Sequence, residues 1–150
     1  MSGFVRGFAY AFRGLRECLR ERNFRFHLCA AAFVIYFAAR FYELSRGEWA
    51  ALFLTVSAVL SLEALNTALE RLCDRVSHEK NELIGKCKDC AAGAVLISAA
   101  GAVAVGAALF WDTERFSLIA EHFLGAWYRL PLLIAALAAA FCAVFLPKKR

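Results

Sequence analysis

Proline is scarce in this chain: Pro131 and Pro147 are the only two among 150 residues. No stretch shows the alternation over about ten residues that a membrane barrel strand needs. The apolar runs are instead rich in Ala, Leu and Phe, so helices are expected and a barrel is excluded. No short charged stretch is followed by an apolar run and a cleavage site, so a removable secretory signal is not expected. Internal repeats and low-complexity linkers are absent too. A P-loop is also missing: Gly85-Lys86 lacks the earlier glycine and the following Ser or Thr, and Gly101 and Gly106 lie in an apolar run with no lysine between them. The net charge of +5 comes with no nucleic-acid-binding motif. Arginines beside apolar segments point to anionic headgroups rather than to nucleic acid. Of the six cysteines only Cys87 and Cys90 form a Cys-x-x-Cys pair, and no second pair matches it, so a zinc site is not expected.

What the chain has in abundance is apolar surface. Hydrophobic residues make up 61% and the mean hydropathy is +0.55. A soluble helical domain this short could not hide so much, whereas a bilayer can take the place of the missing core. Four apolar segments stand out, at about 24–42, 49–69, 90–111 and 130–146. The third carries no charge and would reach about 33 Å at 1.5 Å per residue, enough to cross. The first and fourth are shorter, and their flanking Arg and Lys can snorkel to the interface. Ahead of them, Phe4, Phe8, Phe12, Leu15 and Leu19 recur at three- and four-residue spacing within a basic stretch. That pattern predicts an amphipathic helix on the membrane surface over 4–25. The expected fold is an all-α polytopic membrane helix bundle: a surface helix (1–25), a core (26–111), and an extra loop with a fourth transmembrane helix (112–150).

Charge predicts the orientation. Residues 1–25 carry six Arg, the connection 70–89 carries five basic residues and the tail three, while only Arg40, Arg46, Arg115 and Arg129 lie in the other connections. The positive-inside rule then places both termini and the 70–89 connection in the cytoplasm. Ala94, Ser98, Ala102 and Gly106 form a ladder of small residues four apart, which lets helix backbones approach closely in lipid.

The chemistry is concentrated in one stretch. Glu63, Asn66, Glu70 and Asp74 are spaced i, i+3, i+7 and i+11, which puts them on one face of a helix. Glu63 interrupts an apolar run, where a carboxylate costs at least ~2.5 kcal/mol, so a functional role is the default expectation. The bland alternative is a protonated packing contact at Glu63 with Glu70 and Asp74 merely solvated. A polar connection follows, in which Lys80, Lys86 and Lys88 lie among Glu79, Glu82 and Asp89. Carboxylates that can take Mg²⁺ and lysines that can meet phosphate are what phosphoryl transfer requires.

The string EALNTALERLCDRVSHEKNELIGKCKDCAAGAVL closely resembles the signature of the prokaryotic membrane diacylglycerol kinase family, which includes undecaprenol kinases. The pattern E-x-x-N-(S/T)-A-(I/L)-E-x-x-x-D, then K-D-x-x-(A/S)-A-(A/G)-V-L, runs without gaps, and Tyr10 to Leu15 and Glu21 to Arg25 are similar to the family's surface helix. The resemblance implies an integral-membrane kinase that moves the γ-phosphoryl group of Mg-ATP to a lipid alcohol. By position, Glu63 matches the base, Glu70 a carboxylate holding Mg²⁺ with the ATP phosphates, and Glu21 its metal partner on the surface helix. Asn66 and Asp74 match supporting polar residues. Glu79, Lys80, Asn81, Lys88 and Asp89, with Tyr10 close by, resemble the nucleotide contacts. The resemblance also implies a homotrimer with sites at subunit interfaces. Gly3 stands where some relatives have a basic nucleotide contact. The fourth span and Arg22-Asn23 resemble Gram-positive members, which tend to prefer undecaprenol over diacylglycerol. The rival readings are a non-catalytic membrane assembly protein and a small proton-coupled transporter, though the inverted repeats and broken helices expected of the latter are not visible.

Overall fold

Six helices account for nearly all of the described residues, 3–76 and 81–146, of the computed structural model. They are α1 (Gly3–Cys18), α2 (Arg22–Phe41), α3 (Arg46–Val76), α4 (Glu82–Phe110), α5 (Thr113–Leu124) and α6 (Arg129–Phe145), and no strand occurs among the described residues. Local chemistry starts several of them. Ser45 and Glu48 exchange reciprocal hydrogen bonds (2.7 and 3.3 Å) in a capping box before α3. The Asn81 side chain accepts from the Leu83 and Ile84 amides to open α4, and Asp112 does the same for Glu114 and Arg115 at α5.

Helices α2, α3 and α4 are each long and apolar enough to cross a membrane; α5 and α6 qualify only together, as one span bent by 100°. That makes three crossings, or four with the bent pair. The segment before α6, expected as a loop, contains the helix α5. It forms because Arg115, Ile119, His122 and Phe123 recur on one face, which is partly covered, with Phe123 about 6.0 Å from the rings of Phe37 and Phe41 of α2. The surface helix, expected to run to residue 25, ends at Cys18. Residues 19–21 turn the chain from α1 into α2, and Glu21, expected on the surface helix, is the extended residue ahead of α2 (φ −80°, ψ 135°).

The longest helices, α3 and α4, form the main packed pair, with α2 against α3 and α6 against α2. Each member of the small-residue ladder is partly covered within the chain, and Ala102 and Gly106 line a cavity shared with α2 and α3. The interior is thin: Leu52 and Val59 on α3, Ala38 on α2 and Val95 on α4 are buried, while Leu96, Ile97 and Val103 of α4 are exposed. Outward-facing aliphatic side chains are what a helix surrounded by lipid presents.

The antiparallel arrangement sorts the helix ends into two groups. Tyr42 donates to the Phe110 carbonyl (3.0 Å) and Arg115 to the Phe41 carbonyl (3.3 Å), joining α2, α4 and α5 at one end. Arg25 donates to the Val144 carbonyl (2.7 Å), Arg71 to Glu21 (2.9 Å), and Lys88 pairs with Asp74, gathering the ends of α2, α3, α4 and α6 at the other.

Candidate active site

The second group of helix ends contains the chemistry. Along α3 the residues at three- and four-residue spacing fall on one face: Leu52, Val56, Val59, Glu63, Asn66, Glu70 and Asp74. Its apolar half faces a cavity of about 170 Å³ bounded by Leu52, Val56 and Val59, by His27 and Val34 of α2, and by Val105 of α4. Its polar half carries the carboxylates. Glu63 stands at the junction, buried to 3% exposure, with Asn66 and Thr67 both at 5%. A carboxylate in that position needs neighbours of its own kind of chemistry. His27 of α2, Glu70 and Glu21 are the titratable groups near enough to act on it.

One turn on, Asn66 Nδ2 donates to Glu70 Oε1 at 3.0 Å and so fixes the orientation of an otherwise exposed carboxylate. The other end of the same amide, Asn66 Oδ1, is buried and has no hydrogen-bond partner among the described residues. A buried acceptor without a partner is costly, and it marks where a ligand, an ion or water belongs. Glu21 is held by Arg71, whose guanidinium also reaches Glu17 at 3.4 Å. Farther along, Lys88 of α4 pairs with Asp74 of α3, and Lys86 with Glu82 at 2.6 Å.

The fold therefore brings together Glu21, Glu63, Asn66 and Glu70, and next to them Asp74 with Lys88. Asn81 caps α4 through its side-chain oxygen, and Asp89 is exposed one residue beyond Lys88. Tyr10 is 61% exposed on α1, with the Arg13 guanidinium 4.7 Å above its ring. Glu79 and Lys80 lie outside the described residues. Among the described residues no three His, Cys, Asp or Glu side chains form a ready metal cluster. The oxygen set that could receive a hard cation is smaller: Glu70, Glu21 and the unpartnered Asn66 Oδ1. Such a cation keeps several waters or substrate oxygens, so an incomplete protein set suits Mg²⁺ bound with phosphates better than a closed site.

Sequence reasoning missed Arg71, Glu17, Thr67 and His27. Arg71 and Glu17 carried a signal, because two carboxylates on the surface segment needed a cation and Arg71 directly follows Glu70. His27 had only its place one turn into the first apolar segment. Cys18 is buried next to this cluster, and burial pushes its thiol up although Arg71 opposes the shift, so it packs rather than reacts. Cys87 and Cys90 are exposed free thiols on α4.

Comparison with known proteins places these residues in context. The sequence model of the prokaryotic diacylglycerol kinase family matches residues 9–110. The chain is similar to an undecaprenol kinase of Bacillus subtilis, 39% identical over 111 residues that cover 73% of this chain and 89% of the relative. It is similar to a diacylglycerol kinase of Synechocystis, 44% identical over 104 residues, 68% of this chain and 59% of that protein. A diacylglycerol kinase of Escherichia coli is 31% identical over 109 residues, 72% of this chain and 88% of the relative.

Proposed function

Because this chain belongs to the prokaryotic diacylglycerol kinase family, we propose that it phosphorylates a membrane lipid alcohol with Mg-ATP, taking a polyprenol such as undecaprenol in preference to diacylglycerol. The observation that carries the chemistry is the position of Glu63, buried on α3 one turn beyond Val59 of the apolar cavity and one turn before Asn66 on the carboxylate face. A lipid acceptor has the same two-part character: an apolar chain that the cavity suits and a hydroxyl that reaches the polar half.

Glu63 is the general base. It accepts the proton of the lipid hydroxyl as that oxygen bonds to the γ-phosphorus, and the bond from the γ-phosphorus to the bridging oxygen breaks to release ADP. Burial of Glu63 keeps competing water away from the acceptor. Asn66 aims the Glu70 carboxylate through its amide. Glu70, Glu21 and Asn66 Oδ1 would hold Mg²⁺, which when bound neutralises phosphate charge. Arg71 holds Glu21, and the Asp74–Lys88 pair sits where an arriving phosphate can draw Lys88 away from its carboxylate. Glu79, Lys80, Asn81 and Asp89 complete the nucleotide contacts, with Tyr10 on α1. Most of the acceleration comes from positioning and charge neutralisation. The nucleotide end is cytoplasmic by its basic residues, both termini with it, and the working unit is a homotrimer in the cell membrane. No observation favours an assembly protein or a transporter.

The polyprenol preference rests on Glu21-Arg22-Asn23 and on the extension beyond the family match, which adds α5 and α6 to the apolar wall. Purified protein in detergent, given labelled ATP with undecaprenol and diacylglycerol at equal mole fraction, tests both parts. Phosphorylation of either lipid supports the kinase, and a higher kcat/KM for undecaprenol supports the preference. A clear preference for diacylglycerol overturns the lipid assignment alone, and no labelled lipid overturns the whole reading.

A further inference from the structure

Helix α6 lies outside the stretch that matches the family, yet its end is tied to the turn that carries Glu21. The tie is a single guanidinium. Arg25 Nη2 donates to the Val144 carbonyl at 2.7 Å, and Nη1 donates to the Arg20 carbonyl at 2.7 Å and the Leu19 carbonyl at 3.4 Å. Val144 is among the last residues of α6, and Leu19 and Arg20 directly follow α1. The final carbonyls of a helix have no partners within it and form the negative end of its dipole. One such end, that of α6, and the turn that follows α1 therefore converge on one cation. Among the described residues the remaining guanidinium nitrogen, Nε, is buried without a partner, and Val144 is itself buried, so the side of the group that meets α6 is covered while the side that meets the turn is open. The next residue along the clamped turn is Glu21, whose backbone carbonyl accepts from the Arg25 amide (3.2 Å) and whose carboxylate accepts from Arg71.

We propose that Arg25 is a positioning residue that couples α6 to the active site: it clamps the 19–21 turn against the end of α6 and so sets where the Glu21 carboxylate stands. Helix α6 is then a strut for the nucleotide end of the site as well as added apolar wall. The inference rests on the reading of Glu21 as a ligand for Mg-ATP. Loosening the turn should cost nucleotide and metal affinity, while the proton transfer at Glu63, held by α3, continues. Misplacing a liganding group by about 1 Å can cost up to ~100-fold, and a partial loosening should cost on the order of tenfold.

The test uses full-length protein with Arg25→Gln, Arg25→Lys and, as a reference, Glu21→Ala. Arg25→Gln should raise KM for Mg-ATP on the order of tenfold with kcat at saturation changed by less than about threefold. Arg25→Lys, which keeps the charge and can satisfy one or two of the three carbonyls, should fall between Gln and wild type. A merely structural loss would lower apparent kcat through the folded fraction and leave KM alone. Hydrogen exchange read by mass spectrometry separates the parts of the idea. Arg25→Gln should speed exchange in peptides covering 19–22 and 142–146 together. Faster exchange in the first peptide only, or in neither, overturns the coupling to α6 and leaves the role of Glu21 standing. If Glu21→Ala leaves Mg-ATP affinity unchanged, the ligand reading of Glu21 fails and the positioning role fails with it.

Discussion

Replacing Glu63 with Gln removes the basicity of one side chain while keeping its size and planar shape. Glu63 is only 3% exposed, so a truncation there would open a cavity and confuse lost chemistry with lost packing. The amide avoids that, and it also removes a buried charge facing Glu70 and Glu21. The folded state should therefore survive the change, with unfolding in detergent at the wild-type temperature or above it. Turnover should not survive. General-base catalysis is worth about 10²–10⁴-fold, so kcat is expected to fall by that factor, equal to ~2.7–5.4 kcal/mol of barrier at ~1.36 kcal/mol per decade. Mg-ATP affinity should stay within about twofold, because Glu70, Glu21 and Asn66 are untouched and the change acts in the transition state. Labelled-ATP turnover in micelles and calorimetric titration of Mg-ATP on the same preparation measure the two quantities side by side. Turnover within about threefold of wild type would refute the base assignment. A parallel loss of turnover and Mg-ATP affinity would refute it differently, by making Glu63 a ligand.

Glu70→Ala and Glu21→Ala should each weaken Mg-ATP binding, and raised Mg²⁺ should partly restore it, since a lost metal ligand shifts a concentration-dependent equilibrium; no response to Mg²⁺ in either would reject the metal roles. Gly106→Leu should obstruct the cavity beside α3, where a Cβ at Gly106 meets nothing within 4 Å; KM for the lipid should rise severalfold with Mg-ATP affinity unchanged, and an unaltered lipid KM would remove the acceptor chain from that cavity. A reporter fused after Arg150 or inserted near Asn81 should read as cytoplasmic and one inserted near Ser117 as external; an external C-terminus would show that α6 does not return across the membrane.

Much of the site was legible because its spacing is local. Glu63, Asn66, Glu70 and Asp74 share a face of α3 for no reason other than 3.6 residues per turn, and the structure places them as that period requires. The first three spans were legible too, since a bilayer demands long apolar helices and composition registers that demand directly, whereas the fourth qualifies only as the bent pair α5 and α6. Glu21 was singled out as a candidate but placed on the wrong element. The apolar spacing of Phe4 to Leu19 continues smoothly towards Phe24, so periodicity alone could not reveal the turn at 19–21.

By itself, then, the sequence determined the helical class, the three long apolar segments and the carboxylate face of α3. All of these follow from composition and from contacts a few residues apart. Tertiary structure alone decided how that face is completed. The cavity that ends at Val59 and Leu60, one turn from Glu63, exists only where α2, α3 and α4 meet. Arg71 reaches Glu21 across 50 residues, and Arg25 reaches Val144 across 119. No local period encodes such pairs. They form because packed helices bring their unsatisfied carbonyls and carboxylates within reach of the nearest guanidinium, and which guanidinium that is depends on how the helices cross.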